Sequence, residues 1–298
     1  MIDFKQLEAF FWIAELNSFS AAAEKLHTTQ SSMSQRIQNF EEILGVKVFD
    51  RSVRGIKLTE KGQELLALTK NLLEQREQIL RTAKSTNCMR GTFQLGVVET
   101  LVHTWLPDLV EYLHTTYPDL IIEIHVDTSM VLKEKLLNHQ LDLVLIVGRN
   151  IEDNTNSLSV GEYPLTWCAS TSLNLMHSNI SLSEIAKFPI ITYPVGSLPH
   201  AIVKNMLEEY KINMHRIYAS ASLSTMLHMI EKGMGSGVLP KVLVKTLIQT
   251  KKLHKLNIRK LPSLIFYAHW VDSPNSHTAK TIAKIAHDIS EKYNSCIS

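Results

Sequence analysis

The stretch that decides the fold runs from residue 20 to residue 37 and reads SAAAEKLHTTQSSMSQRI. Its small residues 21–23 allow two helices to cross closely, and the polar residues 27–29 form a short turn. A helix is then predicted over residues 30–44, and Gly45 ends it because glycine tolerates the left-handed backbone of a helix C-terminus. Its apolar face consists of Met33, Ile37, Phe40 and Leu44.

Two further helices are predicted before this one. Residues 4–16 place apolar side chains at helical spacing, and a short helix is expected over residues 21–26. Either Ser18 or Ser20 can cap the short helix, since a serine oxygen accepts a free backbone N–H at a helix start.

A small β-hairpin is predicted after the third helix, with strands at residues 46–49 and 56–58. The resulting order, three helices and then a hairpin, is that of a winged helix-turn-helix. Residues 45–61 contain five basic side chains against two acidic ones. We expect Arg51 and Arg54 in the hairpin loop to neutralise DNA phosphates or to enter the minor groove.

The polar side chains of the third helix suit the donor and acceptor pattern of major-groove base edges. Its first acidic residues, which phosphate would repel, come only at the far end of the helix. A helix-turn-helix used only for protein contacts is the alternative, and the basic hairpin argues against it. The predicted DNA-contacting residues of this helix are Gln30, Ser31, Ser34, Gln35 and Arg36.

A long helix is predicted from residue 59 to about residue 84. Leu65, Leu72 and Ile79 recur every seven residues, and this spacing favours packing against another helix. We expect the three side chains to mediate dimerisation, with packing on the chain's own head as the alternative. Polar residues 85–87 break the pattern and mark a boundary.

After this boundary, strands and helices alternate, which predicts an α/β layer architecture with a mostly parallel sheet. The expected strands are residues 93–98, 120–126, 143–147, 165–169, 189–192, 217–219, 237–239 and 264–271. The expected helices are residues 105–117, 131–138, 201–210, 224–232 and 276–293.

The sequence resembles the LysR-type transcriptional regulators, in detail over residues 4–62 and in layout beyond them. The detailed match includes Phe19-Ser20-Ala21-Ala22-Ala23, Gln30, Ser34, Ile37, Phe40-Glu41, Leu44-Gly45-Val46, Phe49, Arg51 and Leu58-Thr59-Glu60-Lys61-Gly62. Many relatives carry the arginine before the glutamine at positions 35 and 36, so which of Gln35 and Arg36 reaches a base stays open. Thr59 is a further expected DNA contact.

The resemblance implies a winged helix-turn-helix at residues 1–60, a linker and dimerisation helix at 61–87, and an effector-binding domain at 88–298. The last is expected to be built like a periplasmic binding protein, with two α/β lobes around a cleft. Lobe I would comprise residues 88–162 and 266–298, and lobe II residues 163–265. The chain would cross between lobes near Gly161 and Phe266.

The expected effector-binding residues lie at strand ends and in the loops that follow them: Glu99, Thr100, Leu101, Ser129, Gly148, Tyr193 and Ser222. A Glu99 carboxylate facing the cleft would repel an anion, which predicts a neutral or zwitterionic effector with an amine at Glu99. The alternative is that Glu99 points to solvent and favours the helix dipole from outside.

Other classes of protein fit less well. The chain shows no nucleophile elbow, dinucleotide fingerprint or metal-ligand spacing, so we expect no enzyme, no cofactor and no metal. A net charge of +2 is low for a sequence-independent architectural protein. A free solute-binding protein would carry a secretion signal, and no signal or membrane segment is apparent. Three scattered cysteines suit a reducing cytoplasm. The expected partners are double-stranded DNA, a small-molecule effector, RNA polymerase and further copies of the chain, as homodimer or homotetramer.

Overall fold

The computed structural model describes residues 1–50, 56–83, 89–149, 155–175, 180–212, 216–258, 261–273 and 276–297. The chain divides into two compact units, Met1–Cys88 with Ser273–His277, and Met89–Asp272 with Thr278–Ser298. The predictions for Arg51, Arg54 and the break at residues 85–87 lie outside the described residues.

The first unit has the predicted order of a winged helix-turn-helix followed by a long helix. Its elements are α1 (Phe4–Leu16), α2 (Phe19–Lys25), α3 (Gln30–Leu44), β1 (Phe49–Asp50), β2 (Lys57–Leu58) and α4 (Glu60–Ala83). Ser18 rather than Ser20 caps α2, because its hydroxyl accepts the Ala21 N–H, and the helix therefore begins before residue 21. The two strands of the hairpin are shorter than predicted.

The core of this unit is aromatic. The ring of Phe10 lies 5.4 Å from that of Phe40 and 5.5 Å from that of Phe49, so α1, α3 and the hairpin share one cluster. Ala22 and Ala23 are buried where α2 crosses, as their small size predicts. A Cβ on Gly62 would lie 2.2 Å from the Val48 carbonyl oxygen, so only glycine lets α4 start this close to the hairpin.

The second unit is an α/β structure. Its strands are β3 (Gly91–Val97), β4 (Leu120–Val126), β5 (Leu143–Val147), β6 (Thr155–Ser170), β7 (Ile190–Thr192), β8 (Ile217–Ala219), β9 (Ser236–Pro240), β10 (Leu253–Lys255) and β11 (Ser263–Val271). Its helices are α5 (Glu99–Val102), α6 (Leu106–Thr116), α7 (Ser129–Leu137), α8 (Leu182–Ile185), α9 (Leu198–Glu209), α10 (Leu223–Glu231), α11 (Lys241–Gln249) and α12 (Ser276–Ile297). A 3₁₀ turn spans Thr171–Leu173.

The strands pair in the order β4-β3-β5-β11-β6-β9-β7-β8, with β10 beside β6. β4, β3 and β5 are parallel, and so are β9, β7 and β8, whereas β11 and β6 are antiparallel to their neighbours. The sheet was expected to be mostly parallel, and this is wrong for its central strands, β11 and β6. We call the half with β4, β3 and β5 the first lobe, and the half with β9, β7 and β8 the second lobe.

The two predicted crossing points lie opposite each other, since Phe266 pairs with Gly161 and the register shifts directly after Phe266. Gly161 has a φ of +132°, which favours glycine at the bend. The expected separate strand at residues 165–169 is wrong. β6 is continuous because residues 155–164 pair with β11 and residues 165–169 with β9.

Four elements were not predicted: α5, α8, α11 and β10. The segment after β3 was expected to be a loop but forms one helical turn, α5. No helix was expected at α11 and no strand at β10. The α11 sequence KVLVKTLIQ is rich in β-branched residues and leucine. Such a short apolar run does not distinguish a helix from a strand. Packing against β6 and β9 favours the helix.

Candidate functional site

The start of α3 presents the predicted polar side chains to solvent. Gln30, Ser31 and Gln35 are exposed, and Ser34 is half-buried. Ser20 Oγ donates to Gln30 Oε1 at 3.2 Å, and Gln35 Nε2 donates to Asn39 Oδ1 at 2.9 Å. These bonds leave donors and acceptors of both amides available to a ligand.

Arg36 does not share this face. At 3.6 residues per turn, it lies about 160° around the helix from Ser34, and its side chain is half-buried. Both residues were expected on one polar face, away from the apolar stripe of the helix. The rotation of the helix separates them.

Thr59 uses its hydroxyl inside the head. The hydroxyl donates to the Lys47 carbonyl oxygen at 2.7 Å and accepts the Gly62 N–H at 3.0 Å. Thr59 therefore caps α4 and fixes it to the hairpin. This structural role was not predicted, since Thr59 was expected only to contact DNA.

Glu41 is a structural residue that the sequence reasoning missed. Its side chain is 2% exposed, and its Oε1 accepts the N–H groups of Val48 at 2.9 Å and Phe49 at 3.3 Å. Lys47 Nζ lies 2.8 Å from Oε2. Burial alone would raise the pKa of Glu41, but these hydrogen bonds and the Lys47 charge outweigh it and lower the pKa. The sequence did contain a sign of this burial. Glu41 follows Ile37 by one helical turn and so lies on the apolar face of α3.

The long helix α4 has both an inward and an outward apolar face. Leu65 is half-buried and packs against the core of the head, as the alternative expected, and its place in a dimer seam stays a prediction. Leu72 and Ile79 are 48% and 68% exposed. Leu68, which was not predicted, is 60% exposed and lies along the same line of the helix.

A cavity of about 320 Å³ opens between the two lobes of the second unit. Glu99, Thr100, Ser129, Gly148 and Tyr193 line it, as the sequence predicts. The apolar part of its wall, which no pattern pointed to, includes Met130, Ile146, Val195, Leu198 and Leu264.

Two predicted cleft residues do not reach the cavity. Leu101 is fully buried in the core, because the turn α5 rotates it inward. Ser222 caps α10, where its hydroxyl accepts the Thr225 N–H at 3.2 Å.

Glu99 borders the cavity, but its carboxylate is bonded to the start of α10. Its Oε2 accepts the Leu223 N–H at 2.5 Å, and its Oε1 accepts the Ser224 N–H at 3.1 Å and the Ser224 hydroxyl at 2.9 Å. His103 Nε2 lies 3.5 Å from Oε1. Burial raises the pKa of Glu99, but the hydrogen bonds from α10 outweigh it and lower the pKa, so the carboxylate is ionised at neutral pH.

The other polar side chains of the cavity include the Asp127 carboxylate and two donors, Tyr193 and Lys133. The buried hydroxyl of Tyr193 lies beside Thr100, but the contact is too poorly aligned or too long for a regular hydrogen bond. Burial raises its pKa, so the hydroxyl remains protonated at neutral pH. Lys133 lines the cavity and has no carboxylate within 4 Å in the described part of the chain, whereas Asp127 lies 4.0 Å from Lys135.

Possible metal ligands and thiols lie in the described part of the chain. The described residues contain no group of three His, Cys, Asp or Glu side chains that could hold a metal ion. Cys168 is fully buried, and burial raises its pKa to about 12, while Cys296 is exposed. Cys88 lies outside the described residues. None of the helices described is both long and apolar enough to cross a membrane.

Comparison with known proteins gives the same two-part division. The model of the bacterial regulatory helix-turn-helix proteins of the lysR family matches residues 4–63, and the model of the LysR substrate binding domain matches residues 88–288. The chain is 26% identical over 247 residues to the HTH-type transcriptional regulator YofA of Bacillus velezensis, covering 83% of this chain and 84% of that protein.

Solved structures of similar fold extend over nearly the whole chain. Full-length LysG from Corynebacterium glutamicum, solved with bound effector Arg, superimposes with a TM-score of 0.65 at 17% identity, covering 98% of this chain and 99% of that one. ArgP from Mycobacterium tuberculosis gives a TM-score of 0.65 at 19% identity, covering 96% and 98%.

Proposed function

The chain belongs to the LysR family of bacterial transcription regulators, and on this basis we propose how its parts divide the work. Residues 1–60 bind double-stranded DNA, residues 61–87 join two copies of the chain, and residues 88–298 bind a small-molecule effector between two lobes. Lobe I takes residues 88–162 and 266–298, and lobe II residues 163–265. The cytoplasm is the proposed compartment, since that is where bacterial DNA lies.

The observation that carries the DNA-binding proposal is the start of α3. Its exposed side chains are amides and hydroxyls, which can both donate to and accept from base edges in the major groove. Thr29 caps this helix, and the N-terminal residues of a recognition helix are the ones that contact bases. We assign base contacts to Gln30, Ser31, Ser34 and Gln35.

Arg36 receives a different role. Its position on the flank of α3, away from Ser34, suits a contact to backbone phosphate, as we also propose for Arg51 and Arg54. Phosphate contacts fix the orientation of the protein on DNA but carry no sequence information. The sequence left open whether Gln35 or Arg36 contacts a base. We propose that Gln35 does.

Single substitutions distinguish the two roles. We expect Gln30→Ala to weaken binding to the target site by about 1–3 kcal/mol and to relax the preference at one base pair. Arg36→Ala should weaken all sequences alike and reduce the salt dependence of binding. Fluorescence titration on the target duplex and its single-base variants, at several salt concentrations, measures both.

The matched control is Gln38→Ala, an exposed residue of the same type two turns further along α3. It should bind DNA like the wild type. Equal affinity and equal base preference in wild type, Gln30→Ala and Arg36→Ala would contradict the assignment of α3 as the reading element.

The second unit is proposed to sense a small molecule in the cavity between its lobes. Three features of the cavity support this proposal: its volume of about 320 Å³, its largely apolar wall, and the donors Tyr193 and Lys133. LysG, which shares the fold, holds its effector Arg, although at 17% identity the ligand itself does not transfer. Homodimer or homotetramer assembly and contact with RNA polymerase complete the proposed regulator.

A further inference from the structure

The start of α10 in the second lobe is already occupied by a side chain of the first lobe. The N–H groups of Leu223 and Ser224 donate to Glu99, and that of Thr225 donates to Ser222. The first three free amides of this nine-residue helix are therefore all bonded.

The partners of the Glu99 carboxylate are those that a free carboxylate would use. Two backbone N–H groups and a serine hydroxyl converge on it, and the helix dipole favours its charge. His103, one turn along from Glu99, lies 3.2 Å from the Ser224 hydroxyl and completes the polar surroundings. We call Glu99, His103, Leu223 and Ser224 the Glu99 latch.

We propose that Glu99 is a tethered carboxylate, which fills the anion-binding end of the cleft and holds the two lobes together without an effector. This inference rests on the proposed function of the second unit, and it deepens that function by limiting the class of effector. A carboxylate of an incoming molecule cannot bind the first amides of α10, because these amides already donate to Glu99 and Ser222. Oε2 of Glu99 accepts only the Leu223 N–H among the hydrogen bonds described, so the carboxylate can accept from one further donor, and an amine at Glu99 stays a prediction.

What remains of the cavity points to an effector with an apolar body and a hydrogen-bond acceptor. The wall includes Val195, Leu198 and Leu264, and the buried Tyr193 hydroxyl has only a weak contact with Thr100. A buried donor with a weak partner is unfavourable, so a ligand that accepts a good hydrogen bond from it gains affinity. A carbonyl or ring nitrogen meets this requirement without needing the α10 amides.

Chemical rescue tests the Glu99 latch without knowledge of the effector. Glu99→Ala vacates the start of α10, so we expect its melting temperature to fall, and sodium acetate to restore it saturably against sodium chloride of equal ionic strength. The wild type should show no such acetate effect. Glu134→Ala, an exposed carboxylate of α7 outside the cavity, is the control and should behave like the wild type.

Glu99→Gln provides a second measurement, since its amide keeps the shape of the side chain but loses the charge. We expect hydrogen exchange of the Leu223 and Ser224 amides to speed up by about tenfold or more. Unchanged exchange in Glu99→Gln, or an acetate effect as large in wild type as in Glu99→Ala, would overturn the proposal. Neither assay uses DNA, so such a failure would leave the DNA-binding proposal standing.

Discussion

Replacing Leu72 with Asp is expected to convert the protein to a monomer and to weaken binding to a two-half-site duplex by about a hundredfold or more. Leu68, Leu72 and Ile79 form an exposed apolar line on α4, and Leu72 is 48% exposed in the single chain. A second copy of α4 would bury this line, and a charge there would lose its water without gaining a partner. A monomer also loses the second head, whose tethering raises affinity without any new contact.

Sedimentation velocity and titration of a duplex with one or two half-sites measure the two effects separately. Asn71→Asp is the matched control, because it adds the same charge at the neighbouring exposed position on another side of the helix. It should remain dimeric. A folded Leu72→Asp protein that sediments as a dimer and binds both duplexes normally would refute the role of this apolar line.

Replacing Glu41 with Ala is expected to destabilise the head by about 2–4 kcal/mol. The change removes the acceptor for the buried N–H groups of Val48 and Phe49, and a lost partner costs more than an average hydrogen bond. The start of the hairpin would loosen from α3. Hydrogen exchange of the full-length protein reports this directly, since the Val48 and Phe49 amides should lose most of their protection.

The same contact predicts a pH dependence with a definite sign. The pKa of Glu41 is lowered in the folded head, so its stabilisation is present above the ordinary glutamate pKa and is lost as the pH falls through the lowered value. Glu41→Ala should therefore flatten the acid limb of the stability curve.

Glu42→Ala is the control for this pair of measurements, because Glu42 is exposed and bonds only to Gln38 among the contacts described. It should leave the exchange of Val48 and Phe49 unchanged. Normal protection of these amides in Glu41→Ala would show that the carboxylate does not hold the hairpin.

The helical part of the head could be predicted because local signals and packing agree there. The bounds of α1 and α3 follow from the periodic apolar residues and from Gly45, which takes a φ of +69° at the end of α3. The separation of Arg36 from Ser34 around α3 was missed, because every polar residue outside the apolar stripe was assigned to one face. A seven-residue repeat does not tell which partner covers it, so the packing of Leu65 on its own head could not be distinguished from a dimer contact.

The cleft could be predicted only in outline. Strand ends located Thr100, Ser129, Gly148 and Tyr193 correctly, since parallel strands bring their carboxyl ends to one edge. Leu101 and Ser222 failed because a single helical turn and a helix cap fix side-chain direction, which strand position alone does not. The contact of Glu99 with Leu223 joins residues 124 apart in the chain, and no local pattern carries such information.

Selection of binding sites from a random pool of duplexes by the full-length protein is the most direct test that α3 reads a DNA sequence. We expect enrichment of one dyad-symmetric sequence, with half-sites about one helical turn or a multiple of it apart. A protein carrying Gln30→Ala should select a site with a relaxed position in each half. Recovery of no common sequence by the folded wild-type dimer, or of the same sequence with every position unchanged by Gln30→Ala, Ser34→Ala and Gln35→Ala together, would contradict the account.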